Sequence, residues 1–249
     1  MTSSFWQLFL MNLKLTYRNR SGVFWTIVMP VGIYVALSVL PIGKTMGAQF
    51  NYSDFVLPGI IAMVIMQGGI YGLAYWLVDL KSRGVIKRFL VTPISQKELI
   101  LSLLCARVIV TLVQLVVLTL VGVIFFHAHF AGNYISIFIL TILGGFVFLL
   151  LGLFISTLAN SYEAAAPITT AIGLPLTFLG NLFYSVEGLP KILRTVAHIL
   201  PITYLADGLR SVYLFPFSQT QHVFRDMLIL AAWLVGMLVL VIWRFRLEE

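Results

Sequence analysis

Six long runs of this chain carry almost no charge, and that alone restricts it to a membrane. They cover residues 23–40, 56–77, 99–126, 134–158, 164–184 and 227–243. A helix needs about 20 apolar residues to cross about 30 Å of hydrocarbon, and each run is near that length. The runs are continuously apolar, without the period-two alternation of a transmembrane β-barrel. Sixty percent of the 249 residues are hydrophobic and ten percent charged, a balance that a soluble domain of this size does not sustain. The expected fold is an all-α integral membrane protein: one transmembrane domain, residues 1–249, with six transmembrane helices.

Basic residues set the orientation. Lys14, Arg18 and Arg20 precede the first run, and Arg244 and Arg246 follow the last. Between the second and third runs lies DLKSRGVIKRFLVTPISQKEL, where Lys81, Arg83, Lys87, Arg88 and Lys97 face only Asp79 and Glu98. The other side has Lys44, Lys191, Arg194, Arg210 and Arg225, spread over more chain and partly balanced by Asp54, Glu187, Asp207 and Asp226. The positive-inside rule then places both termini and the basic loop in the cytoplasm of a multi-pass protein. The net charge of +7 is a topology signal and not a nucleic-acid footprint, because the basic residues sit at membrane boundaries.

Three extramembrane pieces have helical patterns. Near the start, Trp6, Phe9, Leu10, Leu13 and Tyr17 line one face and Gln7, Lys14 and Arg18 another, which suits an amphipathic helix in the cytoplasmic interface and not a cleavable signal peptide. In the basic loop Val85, Ile86, Phe89 and Leu90 recur at helical spacing, and Pro93 ends the helix. Pinned between two spans, it is shaped to dock on another protein. Between the fifth and sixth runs, Pro190 and Pro201 each open a short helix on or partly within the outer leaflet.

Enzymatic chemistry is missing. No GxxxxGK[ST] phosphate cradle, GxSxG elbow, HExxH pair or CxxC occurs. Cys105 is the only cysteine and lies in an apolar run, as a buried thiol. His127 and His129 are two apart and point to different helical faces, so they do not make a metal site, and none is expected. Ion-coupled carriers keep ionisable groups at mid-membrane. Here Arg107 sits two turns into a span and Glu163 lies in a loop, so energy for any transport comes from outside the chain.

Four segments, in order, carry a resemblance. Phe5–Arg20 resembles an elbow helix, spanning about residues 3–20. KSRGVIKRFLVTPI at Lys81–Ile94 resembles the coupling segment E-R-G-x-x-x-R-L-x-x-T-P. SxLANSYEAA at Ser156–Ala165 resembles S-x-x-A-x-S-x-x-x-A. EGLP at Glu187–Pro190 and LPITYLADGLR at Leu200–Arg210 resemble P-x-x-L-x-x-x-x-x-x-x-P-x-T-y-x-x-d-x-x-R. Together they resemble the permease subunit of an ABC-2 type exporter, the family that includes drug-resistance and polysaccharide or lipid exporters. The chain departs from the pattern where the family often has Glu, carrying Lys81 and Ser82 instead.

The resemblance implies an efflux permease in a bacterial inner (plasma) membrane, itself not an enzyme. It would pair with a second permease, identical or sister, above two ABC ATPase subunits. ATP and Mg belong to those ATPases, and no cofactor is expected on this chain. In the coupling helix Val85, Ile86, Phe89 and Leu90 would supply buried contact, with Arg83, Lys87 and Arg88 on the rim and Pro93 at the end. The expected cargo is hydrophobic or amphipathic, drug- or antibiotic-like, because the spans lack polar groups for a sugar chain. The alternatives are a lipid-linked or polysaccharide cargo and, from another class, a non-transporting membrane scaffold that recruits a cytoplasmic partner. Within the membrane Ala62, Gly68 and Gly72 offer small-residue spacing for close helix approach. Met63, Met66, Gln67, Phe178 and Phe183 are the candidate pathway-lining residues, and Pro167, Gly173, Pro175, Gly180 and Asn181 interrupt the fifth run.

Overall fold

The computed structural model describes residues 2–39, 51–85, 95–128, 133–215 and 221–246, and every regular element among them is helical. Helix α1 (Thr2–Arg18) stops at Asn19, whose side-chain oxygen accepts from the Gly22 amide at 3.0 Å and so starts α2 (Arg20–Val39). The second run becomes α3 (Tyr52–Gln67), a π-helical turn (Gly68–Leu73) and α4 (Ala74–Ser82) in one rod. Then come α5 (Gln96–Phe126), α6 (Tyr134–Leu158) and α7 (Tyr162–Leu179). A 3₁₀ turn (Val186–Gly188) precedes α8 (Lys191–Ala197), α9 (Pro201–Leu214) and α10 (Gln221–Arg246).

Five described helices are long and apolar enough to cross a membrane: α2, the α3–α4 rod, α5, α6 and α10. The fifth run behaves differently from its expected 164–184 extent. Its helix α7 ends at Leu179, because a Cβ on Gly180 would collide with the Leu176 carbonyl and Ile202, and Asn181 turns back at φ 58°. Asparagine tolerates that left-handed backbone.

The centre is α3, almost wholly buried among α6, α9 and the π turn. Two glycines explain the approach of α6. A Cβ on Gly152 would strike the Gly69 carbonyl, and one on Gly69 would strike the backbone of Phe148. The π turn is what aims Gly69 there, since one wide turn rotates every following residue relative to a 3.6-residue helix. Gly68 and Gly72 look instead toward α5, where a Cβ would lie 3.5 Å from Thr111 Oγ1 and 3.7 Å from an Arg107 guanidinium nitrogen.

The expected outer-leaflet helix at Pro201 is a core element. Ile202, Leu205, Ala206 and Leu209 have no exposed surface, and α9 packs on α3, α6 and α10. By contrast α2, α5 and α10 turn Phe24, Trp25, Val116, Phe125, Val239 and Trp243 outward, as a lipid-facing shell does.

Candidate functional site

The densest polar network holds one end of the bundle together. Arg210, on α9, is 8% exposed. Its Nη2 donates to the Asn181 carbonyl at 2.7 Å, and its Nε donates to the Phe55 carbonyl at 3.3 Å. Its Nη1 meets Asp207 Oδ1 at 3.3 Å, and its guanidinium lies 3.8 Å from the Phe55 ring centre. The Asn181 amide also donates to Asp207. Burial pushes Arg210 down to about 10 and Asp207 upward, each opposed by the charge of the other. Tyr52 adds a hydrogen bond from its hydroxyl to the Phe183 carbonyl at 3.0 Å, and Gly59 leaves room for the Leu182 carbonyl. The turn after α7 is thus pinned to both α3 and α9.

At the opposite end, α4 runs out into the basic segment. Arg83 caps it, pairing with Asp79 at 2.8 Å on an exposed surface. The Gly84 amide donates to the Lys81 carbonyl at 3.0 Å, with Gly84 at φ 66° and open space where a Cβ would sit. Glycine is needed there for its dihedral angle alone. Of the coupling residues, Arg83 and Val85 are described; Ile86, Lys87, Arg88, Phe89, Leu90 and Pro93 lie outside the described residues. The chain re-enters at α5, whose first turn holds Glu98.

The α6–α7 connection packs against this same rod. Ala159 and Ala165 are fully buried with Val78 of α4, and Ser161 caps α7 by accepting from the Ala164 amide at 3.3 Å. Tyr75 reaches Thr169 of α7 at 2.6 Å and lies 4.7 Å from the Tyr162 ring. Movement of α4 therefore bears directly on α7.

Of the candidate pathway residues, Met63 and Met66 are buried in the main core, and Phe183 packs on the same cluster. Gln67 is half-buried beside the π turn, whereas Phe178 is exposed on α7. Sequence patterning missed Tyr71, Tyr75 and Tyr162, whose tyrosine rings lie 6.0 and 4.7 Å apart in succession. Their period matched helical packing and gave no separate signal. Among the described residues no three His, Cys, Asp or Glu side chains come together as a metal site, and His127 ends α5 in a left-handed conformation.

The family model of the ABC-2 type transporter matches residues 3–214. The chain belongs to that family. It is 26% identical over 197 residues to the inner membrane transport permease YadH of Escherichia coli K12, covering 76% of this chain and 75% of that one. The probable multidrug ABC transporter permease YbhS of the same organism is 26% identical over 161 residues, 64% of this chain and 43% of its own. The ABC transporter G family member 20 of Dictyostelium discoideum is 21% identical over 193 residues, 77% of this chain and 26% of its own.

Membership makes the chain a multi-pass ABC-2 permease, a class that associates with an ABC ATPase. Its motif residues now have physical roles. In the ABC-2 outer segment, Pro201 is the first residue of α9, Thr203 Oγ1 donates to the Ala197 carbonyl at 2.6 Å, and Asp207 and Arg210 build the lock. In the coupling segment, the arginine of R-G is the C-cap of α4 and the glycine is the left-handed residue that follows it.

Proposed function

We propose that this chain is the membrane-spanning subunit of an ATP-driven exporter that moves a hydrophobic or amphipathic, drug-like compound outward. The family match over residues 3–214 carries the reading. Relatives named as multidrug permeases support the substrate class. Two permeases, identical or sister, enclose the path, with α7 and the turn after it as the fifth of six spans. Both termini and the segment after Gly84 are cytoplasmic. ATP and Mg bind two separate ATPase subunits, and the helix around residues 83–90 sits on each of them. ATP-driven closure of the ATPases pulls that helix, and the rod carries the pull through Val78 and Tyr75 to α7.

Co-purification with candidate ABC ATPases tests the partner. Wild type should bring one down, and Phe89→Asp and Arg88→Glu should lose it. ATP-dependent efflux from proteoliposomes tests the direction. Association with no ATPase, or association indifferent to both changes, sinks the reading and raises the scaffold alternative.

A further inference from the structure

A second site lies between α1, α2 and α5, away from the core and from the Arg210 lock. It is a cleft of about 400 Å³. Its apolar wall includes Val23, Ile27, Leu103 and Val110, closed at one side by Trp76 of α4. Asn12, Thr16, Tyr17, Asn19, Thr26, Gln114 and Arg107 supply its polar groups, and among the described residues no carboxylate lines it. Asn12 is buried and its amide donates to Ser102 Oγ at 3.5 Å, so α1 is tied to α5 beside the opening.

Arg107 is what calls for a ligand. It lies about two turns into the apolar run of α5, inside the hydrocarbon, where a cation is costly. No hydrogen bond or ion pair engages its guanidinium among the described residues, and on the rod side it faces Gly72, where a Cβ would lie 3.7 Å from a guanidinium nitrogen. A guanidinium presents a fork that fits a phosphate in two places, and the apolar wall beside it accommodates hydrocarbon.

We propose that this cleft binds an acidic phospholipid, its phosphate on Arg107 and its upper acyl carbons along Val110 and Ile27. The volume suits a glycerophosphate head with the first methylenes of its chains, leaving the rest in the bilayer. The bound lipid neutralises Arg107 and fastens the elbow helix α1 to α5. The site does not depend on the cargo proposed above.

Native mass spectrometry of the intact chain, released from vesicles of phosphatidylcholine with one quarter phosphatidylglycerol, tests it. Wild type should retain phosphatidylglycerol well above its share of the vesicle. Arg107→Gln should lower that enrichment at least tenfold and Arg107→Lys should keep part of it. Val113→Trp, at the exposed rim of the cleft, should lower it with the charge intact. Arg225→Gln, at a cation outside the cleft, should leave it unchanged. Competition by millimolar inorganic phosphate would assign the site to free phosphate and overturn the lipid. Equal retention by wild type and Val113→Trp would overturn it as well, whatever the folding of the Arg107 variants.

Discussion

The α3–α4 rod and α5 are both long apolar helices, yet 78% of the most apolar window of the first is buried inside the protein and only 22% of that of the second. The more apolar of the two is the more exposed. In water this ordering would be reversed. In a bilayer the lipid is as apolar as leucine, so hydrophobicity does not choose the core; close packing does. The rod has what packing needs: Gly59, Gly69 and Gly72, a buried Ser53 and Asp54 at its start, and a π turn. Helix α5 has Val116, Leu120 and Ile124 on an outward, exposed face.

The largest effect should follow from blocking the rod's contact with α6. In Gly152→Leu the new side chain meets the Gly69 carbonyl, which is backbone and cannot swing away. Overpacking costs typically 1–3 kcal/mol where side chains can adjust, and more here. We expect no monodisperse folded species by size-exclusion chromatography in mild detergent. A folded, wild-type-like Gly152→Leu would show that the rod is not the packed centre.

Much of this was legible in the chain, and the failures have one cause. Five of the six runs and the proline that opens α9 depend on local chemistry, and they stand where the sequence puts them. The facing of helices was not legible. Sequence spacing singled out Ala62, Gly68 and Gly72, of which Gly68 and Gly72 face α5, but it gave no sign that Gly69 in the π turn is the residue against α6. Arg210 could be read as a motif position, while its partners could not: Phe55 and Asn181 are 155 and 29 residues away. The end of α7 was missed because the apolar run continues through Phe183 while Gly180 and Asn181 bend the backbone.

The lock at Arg210 should rank second. Arg210→Leu leaves the partly exposed Asp207 without its cation and strands the Phe55 and Asn181 carbonyls. Losing a half-exposed pair together with those two hydrogen bonds should cost about 2–3 kcal/mol. Arg210→Lys keeps the charge but loses the fork, so about half of that loss should return in thermal unfolding of the purified protein. Equal melting of the two variants would mean that the charge alone matters. Gly84→Ala should be milder. Its cost is the left-handed dihedral, about 1 kcal/mol, because the space beside it is open. A drop in ATPase association without a matching drop in melting temperature would place its role in the shape of the basic segment.

The smallest effect tests the comparison most directly, using one chemical change on each helix. Val64 of the rod is 4% exposed, and Val116 of α5 is 52% exposed. Val64→Ala removes two methyl groups from a packed interior, leaving a void that should cost about 1–2 kcal/mol. Val116→Ala removes the same groups from a surface where lipid tails refill the space, so its cost should stay within about 0.5 kcal/mol. Both are measured by thermal unfolding in the same nanodiscs. If Val116→Ala proves as costly as Val64→Ala, lipid is not what covers that face of α5. A protein surface must then lie against it, and cross-linking from a cysteine placed at Val116 would reveal whether that surface belongs to a second permease.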